Sequence, residues 1–135
     1  MELRRKLVGR GFDAAVVDAA LAGLVSERLC CDIRFTESFV ASRIAKGQGP
    51  LRIRVELEQR GVDAALVEAH LERDDSRWAA RAAAVRERRF GPARASEPRA
   101  AARQSRFLAR RGFTTAQIGA ALRAAATAAE DDERW

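Results

Sequence analysis

The sequence predicts an all-α protein made of tandem three-helix repeats that form an elongated, curved helical array. Ala, Leu, Arg and Glu dominate its 135 residues, and these residue types favour helices. Only three prolines interrupt the chain, and hydrophobic residues make up 47% of it, which is enough to bury a core. The third observation is an internal repeat, which sets the order of the helices.

The repeat is an arginine followed by a glycine, with spacings of 50 and 51 residues: Arg10-Gly11, Arg60-Gly61 and Arg111-Gly112. A helix is predicted to end at each arginine, because glycine readily takes the left-handed conformation just past a helix. Two positions after each glycine stands a residue that caps the next helix: Asp13, Asp63 or Thr114. The apolar residues around each cap fit a hydrophobic staple: Phe12–Val17, Val62–Val67 and Phe113–Ile118. This pattern predicts the same helix–turn–helix three times.

A third helix is predicted in each of the first two units. In the first, Asp32 is expected to cap a helix that the glycines and proline of residues 47–50 stop. In the second, a helix from about Ser76 to Phe90 is expected to end at Gly91-Pro92. These breaks divide the chain into residues 1–49, 50–91 and 92–135. The last is predicted to be a partial repeat whose acidic tail frays after Ala126.

The formal net charge of +6 favours an anionic partner, either nucleic acid or an acidic protein surface. The charge is concentrated, because residues 77–111 hold eleven arginines and two glutamates. A guanidinium group suits phosphates and carboxylates alike. The alternative is an ordinary solvated surface in an arginine-rich protein. Two helical faces carry the charge: Arg81, Arg88 and Arg89 on the first, and Arg103, Arg106 and Arg110 on the second.

Two further basic clusters are candidates for binding a partner or DNA. One surrounds the loop after residue 46, and the other lies at the start of the chain. Together with Arg60 and Arg111, which precede turn glycines, they are expected to line one side of the array. The members of the two clusters are Arg43, Lys46, Arg52 and Arg54, and Arg4, Arg5, Lys6 and Arg10.

The residues that would support catalysis or metal binding are sparse. His70 is the sole histidine, and a general base needs a partner group and a cleft. Cys30 and Cys31 are adjacent, which strains a mutual disulfide, and we expect reduced, partly buried side chains. The loop at Gly47 lacks the ending of a phosphate-binding P-loop. No catalytic residue, metal site or cofactor is predicted, and an enzyme is the least favoured class.

No apolar run approaches the roughly 20 residues that span a bilayer, and the first residues lack the apolar core of a signal peptide. A cytoplasmic protein is therefore expected, and the chain is also expected to be a monomer. Four phenylalanines are assigned to staples and core, so stacking of nucleic-acid bases on aromatic rings is expected to be weak. They are Phe12, Phe35, Phe39 and Phe113.

The central run of the chain resembles the signature of RecX proteins. It comprises Asp32-Ile33-Arg34-Phe35, Phe39-Val40-Ala41-Ser42-Arg43, Lys46-Gly47-Gln48-Gly49-Pro50, Arg52-Ile53, Glu56-Leu57 and Arg60-Gly61-Val62. Weaker matches flank it at Glu2-Leu3, Lys6-Leu7, Phe107-Leu108 and Arg110-Arg111-Gly112-Phe113. The resemblance covers nearly the whole chain.

The resemblance implies a helical regulator that binds the RecA nucleoprotein filament and inhibits ATP hydrolysis and strand exchange, which modulates recombination, DNA repair and the SOS response. Weaker contact with single- or double-stranded DNA is also implied. The alternative is a general nucleic-acid-binding helical module without a dedicated protein partner. One departure concerns the start of the chain, since RecX proteins usually carry an extra helix before the segment that begins here at Glu2-Leu3.

Overall fold

The computed structural model describes residues 2–71 and 75–133, which form helices joined by short turns and contain no strand. The all-α prediction is therefore confirmed. No helix within these two ranges has a stretch long and apolar enough to cross a membrane. The described helices are α1 (Glu2–Gly9), α2 (Ala14–Ala45), α3 (Pro50–Gln59), α4 (Ala64–Leu71), α5 (Asp75–Phe90), α6 (Pro98–Arg111) and α7 (Thr115–Glu133).

The three predicted turns have the backbone geometry that the repeat indicates. The turn glycines have φ angles of +94°, +81° and +100°. At the second turn the Val62 N–H donates to the Leu57 carbonyl at 3.1 Å, and the Gly61 N–H donates to the Glu58 carbonyl at 3.0 Å. These two bonds close the helix end as a Schellman motif. The same pair of bonds forms at Gly11 and Gly112.

The helix caps predicted after the three turns are also confirmed. Asp13 accepts from the Ala15 N–H at 2.8 Å, and Asp63 accepts from the Ala65 N–H at 3.1 Å. Thr114 and Gln117 form a reciprocal capping box, in which each side chain binds the backbone N–H of the other. The caps satisfy N–H groups that the first turn of a helix leaves without partners.

Two predicted helix boundaries are wrong. Asp32 lies inside α2, which runs unbroken from Ala14 to Ala45, because its sequence contains no proline to interrupt the backbone hydrogen bonds. At the other end of the chain α7 continues to Glu133, where fraying after Ala126 was expected. The predicted stop after α2 is correct, since Gly47 has φ +82° and its N–H donates to the Ile44 carbonyl.

The chain divides into two compact units, residues 1–35 and 36–135. In the first unit Val17 is 3% exposed, as predicted for a staple residue. Phe12 is 56% exposed and Phe35 is also exposed, so their assignment to staple and core is wrong. The cysteines are free but exposed rather than partly buried. Few apolar side chains of this unit are buried among its own helices.

The second unit has one continuous hydrophobic core that α3 to α7 share with the end of α2. Phe39 and Phe113 belong to it, as predicted. Ala82 and Ala121 are almost fully buried, and their small side chains let α5 pack closely along α7. Full burial of a large apolar side chain contributes ~2 kcal/mol. The largest of the fully buried apolar side chains are Ile53, Leu57, Val67, Trp78 and Leu108.

The start of α3 and the end of α6 meet at two glycines. The Gly49 N–H donates to the Arg111 carbonyl at 2.7 Å, and the Leu51 N–H donates to the Gly112 carbonyl at 2.9 Å. A Cβ atom at Gly49 would overlap the backbone of Gly112. This contact fixes the loop of residues 46–49 beside the end of α6, where the candidate site lies.

Candidate anion-binding groove

The arginines of α6 form one wall of a depression of about 630 Å³. Their spacing of three and four residues places them on one face of the helix. The opposite wall is the last turn of α5, with Arg89 and Phe90. The arginines on the α6 wall, Arg103, Arg106 and Arg110, are all exposed.

Two smaller depressions continue from the first one. The next, of about 160 Å³, shares Arg89 and Phe107 with it and adds Lys46, Arg88 and Arg111. The last, of about 150 Å³, shares Arg88 with its neighbour and ends at Arg81. We call the three together the basic groove. Its cations are Lys46, Arg81, Arg88, Arg89, Arg103, Arg106, Arg110 and Arg111.

Acidic side chains are absent from the described lining of the basic groove. Among the side chains that the structure describes, in residues 2–71 and 76–125, no carboxylate lines any of the three depressions. Burial lowers the pKa of Arg81 below its ordinary value, and the nearby charge of Arg77 lowers it further. Arginine stays protonated in proteins, so both groups keep their charge despite this repulsion.

Phe107 holds two of the arginines in place. The Arg89 Cζ lies 5.9 Å from the centre of the Phe107 ring, and the Arg111 Cζ lies 5.2 Å from it. Phe90 meets Phe107 edge-on at 5.3 Å, and Arg89 also lies 5.6 Å from the Phe90 ring. Stacking on an aromatic ring is favourable for guanidinium groups and limits their rotation.

Arg86 counts toward the charge of residues 77–111 but lies outside the groove. Only 2% of it is exposed. Its guanidinium donates to the carbonyls of Gly91, Pro92 and Ala93 at 3.0–3.4 Å and to Gln104 Oε1 at 3.3 Å. These bonds close the end of α5 and hold it against α6. Arg86 therefore positions the two walls.

The members of the predicted cluster around the loop have different partners. Lys46 lines the groove, whereas three arginines form ion pairs with glutamates. Arg43 and Arg52 share Glu56 at 3.1 and 3.4 Å, and Arg54 binds Glu68 at 2.7 Å.

Arg60, also a predicted contact residue, lies 5.0 Å from the ring of Phe39, which Arg43 covers at 4.6 Å. The arginines in and around α3 are thus paired with neighbouring glutamates or packed against the ring of Phe39.

The cluster at the start of the chain belongs to the first unit. Arg5, Lys6 and Arg10 are exposed. Arg4 pairs with Asp18 at 2.6 Å. The hydrogen bond between them raises the pKa of Arg4 and lowers the pKa of Asp18.

Sequence reasoning missed the two phenylalanines of the groove. Phe107 lies four residues from both Arg103 and Arg111 on α6, so the spacing alone places it among the basic residues.

His70, for which no catalytic role is predicted, has a structural contact, since its Nδ1 lies 2.9 Å from the Leu66 carbonyl. Among the described residues, no group of three or more potential ligands could hold a metal ion.

An arginine-lined groove on a helical protein is typical of proteins that bind anionic polymers. Comparison with known families identifies the particular family. Residues 32–71 match the model of the RecX second three-helix domain, and residues 75–122 match the model of the RecX third three-helix domain.

Relatives named Regulatory protein RecX match along most of the chain. The one from Halorhodospira halophila is 50% identical over 98% of this chain and 81% of its own length. Those from Pseudomonas entomophila and Pseudomonas putida KT2440 are 43% and 40% identical over 90% of this chain and 79% and 78% of their own lengths. This chain belongs to the RecX family of regulatory proteins. The matches also confirm that the three-helix unit is repeated.

Proposed function

We propose that this chain regulates recombination by binding the RecA nucleoprotein filament and lowering its ATP hydrolysis and strand exchange. Membership of the RecX family supports this proposal, and the basic groove is the structural observation on which it mainly rests. A nucleoprotein filament is a long anionic polymer, and eight cations in one continuous groove suit such a target.

The proposal includes the setting in which the chain acts. It works as a cytoplasmic monomer without catalysis of its own, and its direct contact with DNA is weaker than its contact with the filament. Of the predicted contact residues, the cations of the basic groove are assigned to binding. The arginines paired with Glu56 and Glu68 are assigned to stability instead.

The test is a titration of this chain into RecA assays of ATP hydrolysis and strand exchange. Inhibition is expected at fewer than one chain per recombinase subunit. A double variant, Arg89→Glu with Arg106→Glu, should need at least about tenfold more protein for the same inhibition, since each reversal replaces attraction by repulsion. Arg54→Ala, which removes a paired arginine, is the control and should inhibit like the unchanged chain.

Unaltered RecA turnover at every concentration would overturn the proposal. If DNA binding were tight in that case, the chain would be a general nucleic-acid-binding module. Equal inhibition by the double variant, with folding verified by circular dichroism, would remove the groove from the contact surface.

A further inference from the structure

We propose that Cys30 and Cys31 are a site of thiol oxidation that breaks α2 when a disulfide joins them. In this structure both thiols are free and exposed, and α2 is continuous. The oxidant is a low-molecular-weight disulfide, which converts the pair to a disulfide between neighbouring residues. This inference goes beyond the proposed function and does not depend on it.

The first reason is the exposure of this part of α2. Every residue from 22 to 31 is exposed, so the helix is held there mainly by its own backbone hydrogen bonds. Gly23 lies in the same stretch, and a Cβ atom at this position would meet nothing within 4 Å. Glycine weakens a helix, and short helical segments without tertiary contacts are only marginally stable. Opening this stretch therefore costs far less than opening the core.

The second reason is that the intact helix keeps the two thiols apart. Neighbouring side chains on an α-helix point about 100° away from each other. A disulfide needs its two Cβ atoms about 3.5–4.5 Å apart, which neighbouring helical residues do not reach. The bond between Cys30 and Cys31 therefore forms only when their backbone leaves the helical conformation. Because this stretch is exposed, the released N–H and carbonyl groups bind water.

The third reason is a helix cap directly after the thiols. An aspartate that precedes a helix accepts a hydrogen bond from a backbone N–H two or three residues later. Asp13 and Asp63 do so in this protein, at 2.8 and 3.1 Å. Asp32 lies inside α2 in the reduced chain, and it would cap a helix that restarts after the disulfide. The match to the RecX second three-helix domain begins at the same residue, and the first compact unit ends at residue 35.

The oxidation takes two thiol–disulfide exchange steps. The thiolate of one cysteine attacks the small disulfide, which forms a mixed disulfide and releases one small thiol. The neighbouring thiolate then attacks the cysteine sulfur of the mixed disulfide and releases the second small thiol. In total two electrons and two protons pass from the protein to the oxidant. Strained and exposed disulfides are easily reduced, so an excess of small thiol restores the helix.

The test equilibrates the full chain with glutathione buffers of increasing oxidised fraction. The chain has only two cysteines, so the intact mass identifies each product. Loss of two hydrogens is the internal disulfide, an added glutathione is a mixed disulfide, and a doubled mass is a linked pair of chains. We expect the internal disulfide to be the main product and dithiothreitol to reverse it.

Hydrogen exchange measured by mass spectrometry locates the structural change. In the internal disulfide, exchange of residues 27–35 should become at least about tenfold faster, because the backbone hydrogen bonds around the pair are lost. Exchange of residues 50–71 should stay the same. The control is Cys31→Ser, which stops at the mixed disulfide and should keep the slow exchange of the reduced chain.

Two variants at Asp32 test the cap, with folding verified by circular dichroism. Asp32→Ala removes the capping oxygen, so half oxidation should need an about fivefold more oxidising glutathione buffer. Asp32→Asn keeps a capping oxygen while it removes the charge, and it should be oxidised in the same buffer as the unchanged chain. Equal behaviour of both variants would exclude the restarted helix.

The inference fails if the oxidised chain carries only mixed disulfides or is linked to a second chain. It also fails if the internal disulfide forms and exchange of residues 27–35 stays slow. RecA is absent from all of these measurements, so their result leaves the proposed function untouched.

Discussion

The arginines near α3 and those of the basic groove differ in where the acidic side chains lie. Arg43, Arg52 and Arg54 share two glutamates, at distances from 2.7 to 3.4 Å. Among the side chains of residues 2–71 and 76–125, no carboxylate lines the groove that holds the eight cations. Both regions are rich in arginine by sequence. The position of the acidic side chains, more than the number of arginines, therefore decides which cations are available to a partner.

The largest effect is expected from Gly49→Ala, which tests whether the groove depends on the contact between α3 and α6. The new methyl group would overlap the Gly112 backbone, so we expect the free energy of unfolding to fall by ~3 kcal/mol. Urea denaturation measures the loss. Gly9→Ala is the control, since Gly9, like Gly49, has no positive φ but has open space around it, and it should change stability by less than ~0.5 kcal/mol. Equal losses would show that the close approach contributes nothing.

The second prediction separates a buried arginine from the exposed ones. Arg86→Ala leaves the Gln104 side chain and the loop carbonyls without their donor, so we expect a loss of ~2 kcal/mol in stability. Arg88→Ala on the same helix should change stability by less than ~0.5 kcal/mol. Thermal and urea unfolding of both variants would test this difference, and similar values would contradict the positioning role of Arg86.

The third prediction concerns the removal of the acid that pairs with two arginines near α3, which would leave them without a carboxylate, like the cations of the groove. Glu56→Gln releases Arg43 and Arg52, so stability should fall by ~1 kcal/mol. The salt slope of oligonucleotide binding should steepen by about one. Glu58→Gln changes the same charge on the same helix, but Glu58 forms no ion pair within the described residues. A slope that steepens equally in both variants would show that net charge alone matters.

The smallest effect concerns the exposed pair in the first unit. The Arg4 hydrogen bond lowers the pKa of Asp18, so the pair stabilises the fold above the ordinary aspartate pKa. This contribution is lost as the pH falls through the lowered value. Arg4→Ala should return the pKa of Asp18 to its ordinary value, with little change in stability at neutral pH. A carboxyl titration by nuclear magnetic resonance measures the shift, and an unchanged Asp18 pKa would disprove the coupling.

The features of the fold that local chemistry decides were predictable. Gly61 takes a left-handed φ and Asp63 caps the next helix because each interaction spans only a few residues. Asp32 misled the prediction, since a residue that can cap a helix is also tolerated inside one when nothing breaks the backbone hydrogen bonds. The burial of Phe12 was predicted wrongly for another reason. The apolar pattern of a sequence does not show whether a neighbouring element covers the apolar side chain.

The site was predictable only in part, because its geometry depends on contacts between distant residues. Helical spacing brought Arg103, Arg106 and Arg110 to one face. Lys46 joins them through the loop beside the end of α6, where Arg111 donates to the Lys46 carbonyl at 3.3 Å. No local pattern shows that Arg86 turns inward. The assignment of these residues to binding and the division at residues 49 and 91 stay predictions.

The continuous core of residues 36–135 has a consequence for fragments of the protein. Ile53 and Leu57 from one matched domain pack in the same cluster as Leu108 and Phe113 from the other. Limited proteolysis after Leu71 should therefore yield no stable piece from either side, because each half would expose the apolar surface that the other covers. Exchange of one domain between relatives would succeed only if both sides of that shared surface change together.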